Sequence, residues 1–338
     1  MDQTPRHARR SKDENINLVS SLANQLYGPN IDQNILGAGG QGVVFKVNSS
    51  VVSKIRVIGK YKDPLFSSAD DHRVIADLEL EEYIHQWDNS PLWIKNLNTF
   101  KREYFFLETL SNVKGVVKPI NNIFVDYIEN LLAITEMKFV PGENLDQIIK
   151  EPLYFKKSIS ALLQVGQLIY GPLKERGIVH LDINPSNIIV NYSEEATLID
   201  FGIAHPSGHK AEDIAYGTPG FIAPETISQM EIDYRTDGFS WAINVIIALI
   251  GENPFSKWME KNSSNVSLAY GNYFYNLLTL DCSKINRMIV DPVRSKYGDP
   301  AAEAVRQAMN IRKEQRFMEP LLAVVEKMAG KEKAAEIS

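Results

Sequence analysis

Lys54 falls in the middle of an apolar strand-like run and Glu103 on the apolar stripe of a helix. Those two placements constrain the fold more than any other feature of the chain. In VVSKIRVI (51–58), strand alternation sets Val52 and Lys54 on one face and Ser53 and Ile55 on the other. In FKREYFFLETL (100–110), Glu103, Leu107 and Leu110 recur at i, i+4 and i+7, on one side of a helix. A lysine on a half-buried face needs a partner or an anion, and a carboxylate on an apolar stripe needs a cation. Packing the helix on the strand solves both problems at once, with room for a phosphate to share the lysine. The alternative is that each side chain snorkels to solvent.

The surrounding text is β-like. ILGAGGQGVVFKV (35–47) reads as strand, glycine turn and strand, and Gly37, Gly39 and Gly42 form a G-x-G-x-x-G. Glycines let a backbone approach phosphate oxygens and offer N–H donors, although a plain hairpin turn would use the same residues. A dinucleotide-binding unit needs a helix directly after the glycines; here a strand follows. NIFVDYI and LLAITEMKFV supply two more strands before a turn at Pro141-Gly142. The rest reads mainly helical, with short strands near 188–191 and 196–199. The class is α+β: a small β-rich half with one key helix, then a larger helical half.

The second half carries HLDINPSNIIV (180–190) and, after a short hairpin, Asp200-Phe201-Gly202. Asn187 and Asp200 offer hard oxygen ligands that suit Mg2+ held together with phosphate oxygens. Asp182 has no obvious lysine or arginine neighbour in sequence and can accept a hydrogen bond from an incoming hydroxyl. GTPGFIAPE (217–225) then forms a glycine- and proline-shaped platform.

Bulk properties exclude several classes. The net charge of −6 argues against a nucleic-acid or anionic-membrane surface. The one cysteine, Cys282, cannot form an internal disulfide, which fits a reducing compartment. The N-terminal stretch is polar throughout, and the apolar run 241–250 is too short for a membrane span. The chain reads as cytoplasmic, though export into another cell without a cleaved signal would leave no trace in such a sequence.

Taken in this order, the motifs resemble those of the eukaryotic-type (Hanks-type) Ser/Thr protein kinase family from about Ile35 to Phe317. The resemblance implies a bilobal protein-kinase-like fold with ATP and Mg2+ as cofactors and a protein substrate bearing a Ser or Thr acceptor. Gly37, Gly39 and Gly42 match the glycine-rich loop, Lys54 the phosphate-pairing lysine and Glu103 its helix partner. Asp182 matches the catalytic aspartate; Asn187 and Asp200 match the metal ligands. MKFVPGENL (137–145) is similar to the hinge. It would make Met137 the gatekeeper, put Lys138, Phe139, Val140 and Asn144 beside the nucleotide, and turn the backbone of Phe139–Val140 toward adenine. Val44 and Val52 would roof the adenine and Ile189 would floor it. Asp237 resembles the residue that braces the catalytic loop, and Arg316 the late arginine that pairs with Glu225.

The implied domains are a flexible basic leader (1–25), the small lobe (26–140), the large lobe (141–330) and a tail (331–338). Between Lys54 and Glu103 lie 48 residues, roughly twice the family's need, so an insertion of about 25–40 residues is expected around 59–98, with a helical patch over 71–87. Its Trp87 and Trp93 would either hold a partner or glue the insert to the small lobe. Were the insert the family's regular helix, Glu82 would replace Glu103. The catalytic loop departs twice from the family's H-R-D-x-K-P-x-N. Leu181 replaces the arginine that binds an activation-loop phosphate, so that contact cannot be the switch. Asn184 replaces a lysine, and Lys210, His205 and His209 are the nearby candidates for a substitute cation. A nucleotide-binding pseudokinase or scaffold, and a kinase-like small-molecule phosphotransferase, stay open as alternatives.

Overall fold

Six antiparallel strands make one sheet in the order β1-β2-β3-β6-β5-β4. They are β1 (Ile35–Gly39), β2 (Gly42–Lys46), β3 (Val51–Lys60), β4 (Arg73–Ile75), β5 (Pro119–Tyr127) and β6 (Asn130–Lys138). The structure, a computed structural model, describes residues 12–39, 42–60, 73–75, 91–127, 130–210, 217–256, 273–277, 279 and 281–331. Register places Val44 opposite Lys54 and Val52 opposite Met137. At Gly42, φ is +121° and a Cβ would meet the Ile55 carbonyl oxygen at 2.6 Å, so only glycine fits the turn between β1 and β2.

Each face of this sheet carries a helix. Helix α2 (Pro91–Thr109) buries Leu97, Phe100, Phe106 and Leu107, and Phe100 meets Phe124 of β5 edge-on at 5.1 Å. The apolar period of 3–4 residues along α2 matches the side turned to the sheet. The other face, lined by Val43, Phe45 and Ile55, is covered by α1 (Lys12–Tyr27) through Leu18, Val19, Leu22 and Ala23.

That helix corrects the expectation of a flexible leader over 1–25, since residues 12–25 are helical and the stretch from Ile16 on is packed; residues 1–11 lie outside the described residues. The stripe Ile16, Leu18, Val19, Leu22, Ala23, Leu26 repeats with helical period and supplies the apolar surface that offsets the ordering entropy. Tyr27 pins its end, with its hydroxyl donating to Glu136 Oε1 at 2.8 Å and lying 3.0 Å from Ser53 Oγ.

Within the 59–98 region of the expected insertion, β3 ends at Lys60 and α2 begins at Pro91. Residues 91–98 belong to α2, and Arg73–Ile75 is an edge strand on β5 where a helical patch was expected. Two β-branched residues, Val74 and Ile75, favour the pleated edge over a helix. Residues 61–72 and 76–90, with Trp87 and Glu82, lie outside the described residues; Trp93 falls in the first turn of α2.

A second compact unit comprises Asn112–Val117 and the chain from Val140 onward, the first being the remainder. It contains α3 (Phe155–Leu168), the short strands β7 (Glu143–Asn144), β8 (Ile178–Val179), β9 (Ile188–Val190), β10 (Ala196–Leu198) and β11 (His205–Pro206), and the single turn α4 (Pro224–Ile227). Its centre is α5 (Tyr234–Ile250), buried from Thr236 to Leu249. Asp233 caps α5 by accepting from the Arg235 N–H at 2.8 Å, and Gly251 ends it at φ +86°. Trp241 Nε1 donates to the Leu162 carbonyl at 2.7 Å, fixing α3 on α5. Helices α6 (Asp291–Tyr297), α7 (Asp299–Ala308) and α8 (Glu319–Lys331) complete the unit. Among the described residues, no helix is long and apolar enough to cross a membrane.

Candidate active site

The first unit brings Lys54 and Glu103 together, as their mutual burial demanded. Lys54 Nζ donates to Glu103 Oε1 at 2.8 Å, with side-chain exposures of 7% and 2%. Arg56 joins them from the same face of β3, its Nη2 donating to Glu103 Oε2 at 3.0 Å. Sequence reasoning missed Arg56, although the alternation that placed Val52 beside Lys54 places Arg56 there too. Val52 is buried and Val44 half-buried on this face, away from the α1 side. In the hinge, the Phe139 N–H is bonded to the Ser50 carbonyl at 2.8 Å.

The second unit assembles the catalytic-loop residues. Asp182 Oδ1 accepts from the Thr218 N–H at 2.9 Å, from Thr218 Oγ1 at 2.7 Å and from Asn184 Nδ2 at 2.9 Å. Asp182 Oδ2 accepts from Asn187 Nδ2 at 2.8 Å, and the same amide also bonds the Asp182 carbonyl. Asn184 Nδ2 reaches Thr218 Oγ1 at 3.0 Å, so one neutral amide ties the loop to the Gly217-Thr218 turn. Gly217 allows that approach: at φ +110°, a Cβ would meet the Leu181 carbonyl oxygen at 2.6 Å. The His180 ring accepts from the Asp182 N–H on Nδ1 and therefore donates through Nε2 to the Ile199 carbonyl at 3.0 Å. Its edge packs on Phe201 with ring centres 4.6 Å apart, which links the loop to Asp200-Phe201-Gly202. Asp200 takes a left-handed φ of +63°, and its Oδ1 accepts from the Gly202 N–H.

This order of motifs on this fold matches the protein kinase domain model over residues 31–317. The chain belongs to the protein kinase family. Curated relatives are protein kinases, two of the three named here as serine/threonine kinases. Calcium/calmodulin-dependent protein kinase type 1 of Caenorhabditis elegans is 30% identical over 157 residues, covering 44% of this chain and 45% of that protein. Serine/threonine-protein kinase pkn2 of Myxococcus xanthus is 29% identical over 140 residues, 38% of this chain and 17% of that one. Serine/threonine-protein kinase PknH of Mycobacterium bovis is 31% identical over 125 residues, 36% and 21%. The chain thus spans less than half the length of these relatives.

Bracing of the kinase loop comes from α5. Asp237 accepts the His180 N–H on Oδ2 at 2.7 Å and the Leu181 N–H on Oδ1 at 2.8 Å. Burial pushes its carboxyl up to about 7, against the pull of those two N–H groups; Asp182 and Asp233 raise it further. Asn244 adds a bond to the Ile183 carbonyl at 3.1 Å. Arg316 holds Glu225 through two bonds of 2.7 and 3.0 Å, both side chains being buried. Such a fork-to-fork pair fixes orientation as well as charge.

The departures in the loop have a visible setting. Leu181, at a left-handed φ of +69°, buries its side chain with Val179, Ile232 and Ile203. Of the candidate substitute cations, His205 is buried and stacked on His209 at 4.4 Å, and Lys210 is exposed, its backbone paired with that of Glu231 in an isolated antiparallel β-bridge. Every described hydrogen bond to Asp182 comes from a neutral donor.

Proposed function

We propose that this chain is an ATP- and Mg2+-dependent protein kinase that transfers the γ-phosphate to serine or threonine hydroxyls, without a requirement for an activation-loop phosphate at Leu181. The observation that carries this reading is the Asp182 carboxylate. Three donors hold its Oδ1, while Oδ2 takes one bond from Asn187 and has lone pairs left for a substrate hydroxyl. In that arrangement Asp182 orients the hydroxyl and receives its proton as the phosphoryl group moves. Thr218, which donates to the same carboxylate, is the residue type that the Ser/Thr-directed branch carries there.

Lys54, held by Glu103, would pair with phosphate oxygens. Gly37, Gly39 and Gly42 would cover the phosphates with backbone N–H groups. Val44, Val52 and Ile189 each stand half or fully buried on strands where an apolar face suits a flat heterocycle. The Phe139 N–H is already used by Ser50, so the adenine edge falls to hinge carbonyls and to the Val140 N–H. Asn144 would lie on the ribose side, its amide donating to the Ser186 carbonyl and its side chain accepting from the Gln147 N–H.

The donor set fits Mg2+. Both bonds from Asn187 Nδ2 go to Asp182, which leaves the amide oxygen for a cation, and Asp200 supplies a carboxylate. Bound there, the ion would neutralise charge on the phosphates. Leu181 supports the second half of the proposal: a site sealed by four hydrocarbon side chains cannot desolvate and pair with a phosphate.

The test is transfer of labelled γ-phosphate to a mixed protein substrate, comparing wild type with Asp182→Asn, followed by phosphoamino-acid analysis. Label on serine or threonine that disappears in Asp182→Asn is expected. Equal labelling by the variant would sink the assignment. Bound ATP with no transfer by either would favour a nucleotide-binding scaffold, the reading for which the neutral Asn184 speaks.

A further inference from the structure

Arg56 lies two residues beyond Lys54 on β3, on the same face, and takes the other oxygen of Glu103. Lys54, Arg56 and Glu103 are all buried, with side-chain exposures of 7%, 8% and 2%. Glu103 projects from the middle of α2, so whatever holds its carboxylate holds the helix to the sheet.

We propose that Arg56 is a positioning residue that locks Glu103, and with it α2, onto β3 independently of Lys54; the catalytic consequence rests on the kinase reading above. In a kinase the lysine must share its ammonium between the glutamate and the phosphate oxygens. Where it is the sole anchor, whatever draws it toward the nucleotide loosens the helix. Here Oε2 keeps a charge-assisted bond from a planar guanidinium of β3. Glu103 is therefore oriented before nucleotide arrives, and Lys54 can turn toward phosphate without releasing α2. That arrangement suits a loop whose Leu181 offers no cation to an activating phosphate.

The test combines hydrogen exchange over residues 97–107 of the nucleotide-free full chain with steady-state kinetics, for wild type, Lys54→Met, Arg56→Met and Arg56→Lys. Lys54→Met should lose phosphotransfer yet keep α2 protection within about twofold of wild type. Arg56→Met should speed α2 exchange by about tenfold or more, the worth of one charge-assisted bond. It should also lower kcat by up to about 10²-fold with little change in KM for ATP, because the lysine is misaimed and not lost. Arg56→Lys, which restores a cation but not the planar guanidinium, should recover part of both. Wild-type exchange and kcat in Arg56→Met would overturn the proposal, as would release of α2 by Lys54→Met to the same extent. Should Arg56→Met not fold, the exchange of Arg56→Lys and Lys54→Met decides the matter in the same way. A wild type that transfers no phosphate would remove the kinase reading, while the exchange comparison would still uphold or overturn the lock.

Discussion

Asp237 is the residue at which stability and function should part company, and Asp237→Asn exposes the conflict. The carboxyl is fully buried and pushed up from 3.8 to about 7, chiefly by loss of solvent. Between those two values the folded chain carries a proton that the unfolded chain has released, so stability falls as pH rises through this interval. The contribution is complete below about pH 4 and gone above about pH 7. At 1.36 kcal/mol per pH unit, the loss is about 4 kcal/mol. Asparagine has the shape of the protonated acid and does not titrate. Wild type and variant should therefore unfold at similar urea concentrations near pH 4, and the variant should be the more stable by a few kcal/mol at pH 8. The difference between the two curves cancels every titration that they share. Activity should move the other way. An amide offers one oxygen where the carboxylate offers two, so the N–H of His180 or of Leu181 loses its acceptor and the loop that carries Asp182 drifts. A fall in kcat of about 10- to 10²-fold follows from such misplacement. Urea titrations at half-unit pH steps, with kinetics at pH 8, check both halves. Parallel stability curves for the two proteins, or a variant less stable at pH 8, would refute the reasoning.

Two further outcomes are expected. Leu22→Ala in α1 should destabilise the folded chain by about 2–5 kcal/mol, because Leu22 is fully buried against Phe45 and Ile55. A loss under about 0.5 kcal/mol by denaturant titration would mean that α1 is dispensable. Asn184→Lys should raise kcat by about 10- to 10²-fold, by adding a charge beside Asp182 and Thr218 where one neutral donor now stands. An unchanged or lower kcat would show that the hydrogen bonds of Asn184, and not its missing charge, matter to the rate.

The parts of this chain that were legible are those whose physics is local. Strand alternation around Lys54 and the helical stripe around Glu103 each depend on neighbours within one element, and their pairing follows because neither tolerates burial alone. The glycine turn and the Asp182, Asn187 and Asp200 constellation are read from short spacings. The bridge from Asn184 to Thr218 is different: it spans 34 residues and depends on the Gly217 turn, which no spacing reveals. Helix α1 was obscured because its apolar stripe starts at Ile16, just behind a run of charged residues that reads as a tail. Arg56 was in plain view on the Lys54 face, but one arginine in a strand gives no hint of which carboxylate it will find.

Two residues in the neighbourhood of Asp182, Leu181 and Asp200, hold left-handed backbones that cost about 1–2 kcal/mol each. Strain of this kind persists only where the surroundings over-determine it. For Leu181 they do so with hydrocarbon on one side and the Asp237 carboxylate on the other, which grips its N–H. None of those partners requires a modification to appear. The same holds for Asp182, fixed by two amides and a threonine, and for Glu103, fixed by two cations of its own unit. A loop and a helix that other kinases of this type can hold with an added phosphate are here held by side chains encoded from the start.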